Sequence, residues 1–218
     1  MHPRLGDRVL VAMSGGVDSS VAAALLIQQG FDVVGCFMRL GSPGEDIGNA
    51  TLGHRGCCSI SDADDARGVA STLDIPFYAL NFADDFERII QYFEREYHAG
   101  RTPNPCVRCN DWLKFGKLHD YAEGIGAKWV ASGHHARIDR SGAFPRLRRS
   151  ADPRKDQSYV LFGASGLPGE RPRRLDQLIF PIGELTKDEV RTHAKTLGLG
   201  IHAKPDSQEI CFVPDDDY

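Results

Sequence analysis

The run Ser14-Gly15-Gly16-Val17-Asp18-Ser19-Ser20 has the residue types of a phosphate cradle. Two adjacent glycines remove the Cβ atoms that would keep an anion off the backbone, and three serine hydroxyls add donors. The apolar stretch before it, Arg8 to Met13, reads as a short buried strand. Val21-Ala22-Ala23-Ala24-Leu25-Leu26-Ile27 after it reads as a helix stopped by Gly30. A strand turning tightly into a helix aims backbone N–H groups, and the positive end of the helix dipole, at one point. The Gly-Lys-Ser/Thr ending of the ordinary nucleotide P-loop is missing, so cleavage at a γ-phosphate is not the natural reading. A Ser/Gly turn with no ligand is the bland alternative.

Asn104-Pro105-Cys106-Val107-Arg108-Cys109-Asn110 is the second constellation. A Cys-x-x-Cys pair can exchange or transfer sulfur, hold a metal or cluster, or simply pack, and the spacing leaves all three open. Structural zinc calls for a second such pair, which is lacking; Cys57-Cys58 are adjacent and cannot chelate that way. Asn110 or Asp111 is placed to cap the following helix, whose N-terminal field would raise the thiolate fraction of a nearby thiol. Cys211 stands alone. A lone cysteine is often a buried apolar residue, but the polar run Asp206-Ser207-Gln208-Glu209 suggests a position near a loop. His134, at a strand end, reads either as structural or as facing a crevice.

The elements around these residues alternate. Phe31 to Met38 reads as a second strand, and Ser61 as the cap of a helix with Ala66, Val69, Ala70 and Leu73 on one face. Ile75 to Leu80 is a third strand. Phe86, Ile89, Ile90, Phe93 and Tyr97 mark the core face of an amphipathic helix. A helix follows around Leu113, Leu118, Tyr121 and Ala122, and Lys128 to Ser132 is a fourth strand ending at Gly133-His134-His135. Such βα repeats predict a doubly wound, mostly parallel α/β sheet with ligands at the carboxyl ends of its strands, where Ser14–Ser20, Met38 and Gly133 would converge. Residues 136–150 resemble a polar hairpin and 163–174 a Gly/Pro/Arg-rich connection. Thr186-Lys187-Asp188-Glu189 is a capping box opening a helix that closes at Gly198. Ile210-Cys211-Phe212-Val213 reads as a strand with no later strand to pair with, an ending expected of a fragment.

The 218 residues carry a net charge of −4, with 41% hydrophobic and 26% charged residues, as in a globular protein. No apolar stretch approaches the roughly 18–20 residues of a membrane span. Met1 to Asp7 runs straight into the first strand, leaving no room for a signal peptide, so the cytoplasm is the expected compartment, where six cysteines do not suggest a disulfide scaffold. Charge is uneven: Arg140 to Arg174 holds nine Lys/Arg against three acids, which suits either phosphate binding or a solvated loop.

Five segments, in order, resemble the tRNA-specific 2-thiouridylases of the MnmA type. They are Ala12 to Ser20, Gly100 to Asn110, Ser132 to Arg137, Lys155 to Tyr159 and Ser207 to Phe212. The first alone resembles the PP-loop of ATP pyrophosphatases, which cleave ATP between the α- and β-phosphates and adenylate a substrate oxygen. The resemblance implies an adenine nucleotide alpha hydrolase-like PP-loop fold with a small helical and irregular extension and the start of a β domain. It implies ATP- and Mg²⁺-dependent 2-thiolation of uridine at the tRNA anticodon wobble position, with a partner protein donating persulfide sulfur. Ala12, Met13, Ser14, Gly15, Gly16, Val17, Asp18, Ser19, Met38 and Gly133 would bind ATP. Asn104, Pro105, Cys106, His134, Lys155, Asp156 and Gln157 would meet the tRNA. Cys109 would be the nucleophile and Cys211 the persulfide carrier, while Cys106, Cys109 and Cys211 are open as iron–sulfur ligands. Expected units are a PP-loop domain at 1–140, a basic connection and helical tRNA-contacting segment at 141–205, and the start of a truncated β-rich domain at 206–218. Two other functions remain open: a PP-loop synthetase adenylating a small molecule, and a non-catalytic, metal-stabilised RNA-binding module.

Overall fold

Along Val9-Leu10-Val11-Ala12-Met13 the buried side chains alternate between two separate apolar layers, Leu10 and Ala12 in one, Val9, Val11 and Met13 in the other. A strand covered on both faces must lie inside a sheet with helices on either side. The computed structural model describes residues 2–41, 60–165, 174–206 and 211–212. Its elements are β1 (Arg8–Ala12), α1 (Val17–Gln28), β2 (Asp32–Arg39), α2 (Ile60–Thr72), β3 (Phe77–Asn81), α3 (Ala83–His98), α4 (Pro105–Arg108), a π-helix (Cys109–Lys117), α5 (Leu118–Gly124), β4 (Trp129–Ser132), β5 (Ala136–Asp139), β6 (Arg146–Arg149), β7 (Leu178–Ile179) and α6 (Lys187–Thr196).

The main sheet has the order β3-β2-β1-β4-β7 and every pairing in it is parallel. Neighbours of β1 continue in opposite directions, so the crevice beyond β1 and β4 is the switch point where open α/β sheets bind ligands. Residues of α1, α2 and α6 cover one face, and those of α3, the π-helix and α5 cover the other. Residues 136–149 form the expected antiparallel hairpin, β5 with β6.

Several expectations need correction. β7 extends the sheet just beyond the 163–174 connection, where no strand was read; two ladder residues are too few for a period-2 signal. α6 packs in the same layer as α1. The helix before β4 is partly π: the Leu118 N–H donates to Leu113 O, five residues back. A search at 3.6 residues per turn cannot register that widening. Ser61 lies inside the first turn of α2, which starts at Ile60. Cys211 and Phe212 form a turn rather than a strand. Phe212 instead sets its ring edge-on against Phe86 and Phe93 of α3, with centroids 5.8 and 5.4 Å away. Cys57, Cys58, Arg171, Arg173 and Ser207 to Ile210 lie outside the described residues. Among the described residues no helix is long and apolar enough to cross a membrane.

His119 of α5 is buried, and its Nε2 has no hydrogen-bond partner among the described residues. Burial, helped by the Arg174 charge, pulls its pKa down to about 4. Below the ordinary histidine value near ~6.5 the unfolded chain takes up a proton that the folded chain refuses. The urea midpoint is therefore expected to fall as pH drops from about 6.5 toward 4, and His119→Leu to flatten part of that slope. An unchanged slope in the variant would contradict the assignment.

Candidate functional site

The loop between β1 and α1 is shaped by two glycines that nothing larger could replace. Gly15 has φ +72°, and a Cβ there would sit 2.2 Å from the Asp62 carbonyl oxygen. Gly133, just beyond β4, lies so close to α1 that a Cβ would meet Ser19 N at 2.4 Å. Gly16 differs: a Cβ would approach only Ser14 Oγ, at an ordinary 3.4 Å. It occupies the N-cap of α1 and offers no side-chain cap, so the first N–H groups of that helix are left facing the crevice end. Ser19 Oγ accepts from Ser14 N at 3.1 Å, and Ser20 Oγ donates to Gly16 O at 2.8 Å. These hydroxyls hold the loop's curvature from inside.

Asp18, in the first turn of α1, is the charged member of the loop. Lys187 Nζ, at the first residue of α6, donates to both its oxygens at 2.7 and 2.8 Å. The same ammonium stands 2.7 Å from Asp206 Oδ1. Lys187 is buried, and a buried cation needs such pairing. Burial by itself would raise the Asp18 carboxyl, but His135, whose Nε2 is 3.5 Å away, and Lys187 bring it below the ordinary carboxylate value.

Around this pair the structure gathers several of the expected residues. The Gln157 side-chain oxygen accepts from His135 N at 2.9 Å, while the Gln157 backbone N–H donates to His135 O, also at 2.9 Å. Asp156 accepts from Ser150 N and from the hydroxyl of Ser158, at 2.9 Å each. Lys155 pairs with Asp206 at 2.7 Å. Lys155-Asp156-Gln157 thus stands at the rim of the PP-loop crevice. His134 is turned inward: it is buried between Phe115 and Phe180, with Nδ1 2.7 Å from Ser132 Oγ. Burial holds its pKa well below the usual value, so the ring is neutral. Met38 is buried at the end of β2, and Ala12 and Met13 are buried at the end of β1.

The cysteine loop is built differently from the expectation. Asn104, not Asn110 or Asp111, caps the helix, its side chain accepting from Val107 N at 3.3 Å, with Pro105 next. Pro fits the first helical position because its missing N–H is an orphan there anyway. Cys106 is exposed in the first turn, and Cys109 sits a turn further in, half-buried. Asn110 is buried and donates to Val160 O at 3.2 Å. Arg108 lies between the rings of Tyr92 and Trp112, 5.0 and 5.5 Å from their centroids. Cys109 and Cys211 both pack against the apolar cluster that contains Met38, Phe86 and Leu113. Among the described residues no three His, Cys, Asp or Glu side chains converge as a metal site.

The family described as the tRNA methyl transferase HUP domain matches residues 7–215. The chain belongs to that family. A protein described as tRNA-specific 2-thiouridylase MnmA from Rhodopirellula baltica is 47% identical, over 95% of this chain and 56% of its own length. One with the same description from Clostridium perfringens is 50% identical, over 97% of this chain and 56% of its own. The HUP-domain chain therefore spans about half the length of the curated relatives it matches. Among solved structures, U34-tRNA thiolase NcsA from Methanococcus maripaludis, with its 4Fe-4S cluster, superposes with a TM-score of 0.56 at 19% identity. It covers 96% of this chain and 63% of that one, and shows the shared fold.

Sequence reading missed Lys187, His135, Lys204 and Asp206 as site residues. One signal was available for Lys187: a cation at the first position of a helix opposes the macrodipole, and needs an outside reason. The HUP-domain packing also yields a test. Gly133→Ala is expected to cost ~1–3 kcal/mol or more, since the clash is with backbone, lowering the thermal midpoint. A variant as stable as the parent would show that α1 and the β4 turn are not in close contact.

Proposed function

We propose that this chain carries the ATP-activating and sulfur-handling site of a tRNA uridine 2-thiolating enzyme. The observation that carries the reading is the convergence at one switch point. A glycine-rich loop with an uncapped helix N-terminus faces it, and Cys109 and Cys211, distant in sequence, pack against the one apolar layer that includes the strand-end residues Ala12 and Met38. Its similarity to proteins described as tRNA-specific 2-thiouridylases supports the same reading.

The C2 oxygen of uridine is a poor leaving group. Joining it to the α-phosphorus of ATP, with release of pyrophosphate, lets it depart as AMP. Backbone N–H groups of Ser14–Ser19 and the α1 dipole would stabilise the phosphate charge. Asp18 fits Mg²⁺: it is an ionised carboxylate at the loop, and the ion would neutralise charge on the departing pyrophosphate. Met38 and Gly133 would line the nucleotide, while Asn104, Pro105, Cys106, His134, Lys155, Asp156 and Gln157 would lie toward the tRNA. With His134 buried, its part is to shape the floor of the site.

Sulfur then replaces the oxygen. The terminal sulfur of a Cys211 persulfide, loaded by a donor protein, attacks C2 and displaces AMP. The Cys109 thiolate attacks Cys211 Sγ and breaks the S–S bond, whose electron pair stays on the transferred sulfur. The products are 2-thiouridine and a Cys109–Cys211 disulfide, which a reductant must reopen. The cytoplasm, where tRNA and ATP meet, is the compartment that suits this function.

A small-molecule synthetase would leave Cys109 and Cys211 without purpose, and an RNA-binding module would leave the loop without one. Pyrophosphate release from ATP is expected to depend on tRNA and to be lost in Asp18→Ala; release that ignores tRNA would favour the synthetase. Cys109→Ser and Cys211→Ser are each expected to abolish thiolation, read as 2-thiouridine by mass spectrometry, with ATP affinity kept within a few-fold. Undiminished thiolation by Cys211→Ser would overturn its assignment as sulfur carrier.

A further inference from the structure

The Lys155-Asp156-Gln157 rim continues into two short 3-10 turns, Ser158–Val160 and Phe162–Ser165. Their apolar side chains divide by spacing. Val160, Leu161 and Ala164 are buried in the layer that also holds Leu113 and Phe115 of the π-helix. Tyr159 and Phe162 face water instead, 64% and 61% exposed. Positions three apart in a 3-10 winding lie on one side, so the two rings leave the turns together. A single exposed apolar side chain needs no explanation, but neighbouring ones rimmed by polar groups mark an interaction surface.

Both rings stand on a firm base. Asn110 Nδ2 donates to Val160 O at 3.2 Å in a buried bond. Gly163 lies so close to the cysteine-bearing helix that a Cβ there would sit 3.0 Å from Asp111 Oδ1. Asp156 caps the first turn, accepting from Ser158 Oγ at 2.9 Å and from Ser158 N at 3.3 Å. β6 runs alongside, with Leu147 against the same apolar layer.

Between Arg146 and Gln157 the acids fold inward and the cations face water. Asp152 is buried, and Asp156 is occupied by Ser150 and Ser158. Arg149 stands 3.6 Å from Asp156 with 86% of its side chain exposed, and 71% of the Arg154 side chain is exposed. Arg146 is exposed at the start of β6. Aromatic faces flanked by cations suit a single nucleic-acid strand, whose bases stack on the rings while its phosphates meet the guanidinium groups. A protein partner would call for few charges at the centre of the contact. Paired bases keep their faces inside the duplex, so only splayed bases can reach such rings.

We propose that Tyr159 and Phe162 form a stacking platform for unpaired bases of the RNA substrate, with Arg149 holding the phosphate backbone beside them. The platform rests on the RNA-substrate reading and adds to it how the strand is held, by base faces at the crevice rim.

The test is RNA binding, followed by fluorescence anisotropy with an end-labelled hairpin that reproduces an anticodon arm with a wobble uridine. The parent chain is expected to bind this hairpin more tightly than a blunt duplex of equal length. Tyr159→Ala and Phe162→Ala should each weaken hairpin binding about fivefold or more, with duplex binding and the thermal midpoint unchanged. Phe162→Tyr, which keeps the ring, should bind like the parent. Arg149→Ala should weaken both RNAs and lower the slope of log affinity against log salt by roughly one, a slope that the ring variants keep. In the parent itself, 5-iodouridine placed at each loop position in turn should photo-crosslink to Tyr159 or Phe162. Hairpin binding unchanged in both alanine variants, or crosslinks confined to other residues, overturns the proposal and leaves the RNA reading standing. Self-association of the parent that Phe162→Ala abolishes also overturns it, by giving the rings to a second copy of this chain. A parent that binds neither RNA contradicts the RNA reading itself, and the platform falls with it.

Discussion

One ammonium group, Lys187 Nζ, stands between the carboxylates of Asp18 and Asp206, and three parts of the chain meet through it. Asp18 belongs to the nucleotide loop, Lys187 to the start of α6, and Asp206 to the segment before Cys211. A buried, unpaired lysine would be costly, and both carboxylates contribute to its pairing. The trio therefore forms together. α6 itself is fixed by the Thr186 and Glu189 capping box, whose loss costs about 1 kcal/mol, and by Val190 and Ala194 buried beside α1. Packing places the helix, and the placed helix delivers the charge.

The sheet supplies the second constraint. Because β1 and β4 are parallel neighbours whose connections part in opposite directions, their carboxyl ends open one crevice. Gly133 lets the β4 turn touch α1, so the loop, the His135–Gln157 hydrogen bonds and the Asp18 pair share that opening. Cys109 and Cys211 lie in the opposite layer, against the cluster holding Ala12 and Met38. The loop's Asp18 pair and these thiols thus belong to the two layers that the sheet separates.

Much of this was legible in the residues. The short apolar runs alternating with helix patterns, and the glycine loop, implied the parallel sheet and its first helix, and the capping box at Thr186 stands where the spacing put it. Failures have physical causes. A two-residue strand such as β7 leaves no periodicity to read, and a π-helix shifts the apolar repeat away from 3.6. The cap of the cysteine helix was misplaced because Asn104 and Asn110 are chemically equal candidates, and only the chain's path chooses between them. Phe212 looked like part of a strand because alternation cannot tell ladder pairing from aromatic packing. Lys187 and Asp206 were harder to read: apart from the odd sign of a cation at a helix start, an ion pair across 169 residues, such as Lys187 with Asp18, leaves no trace in the local sequence.

The central claim is that the oxygen leaving uridine departs on the phosphorus activated at the Ser14–Ser20 loop. The most direct measurement is a single turnover with tRNA whose target uridine carries ¹⁸O at C2, followed by mass spectrometry of the nucleotide products. The account predicts ¹⁸O in AMP, in amounts equal to the 2-thiouridine formed. Unlabelled AMP alongside 2-thiouridine, or ¹⁸O in inorganic phosphate or pyrophosphate, would contradict it.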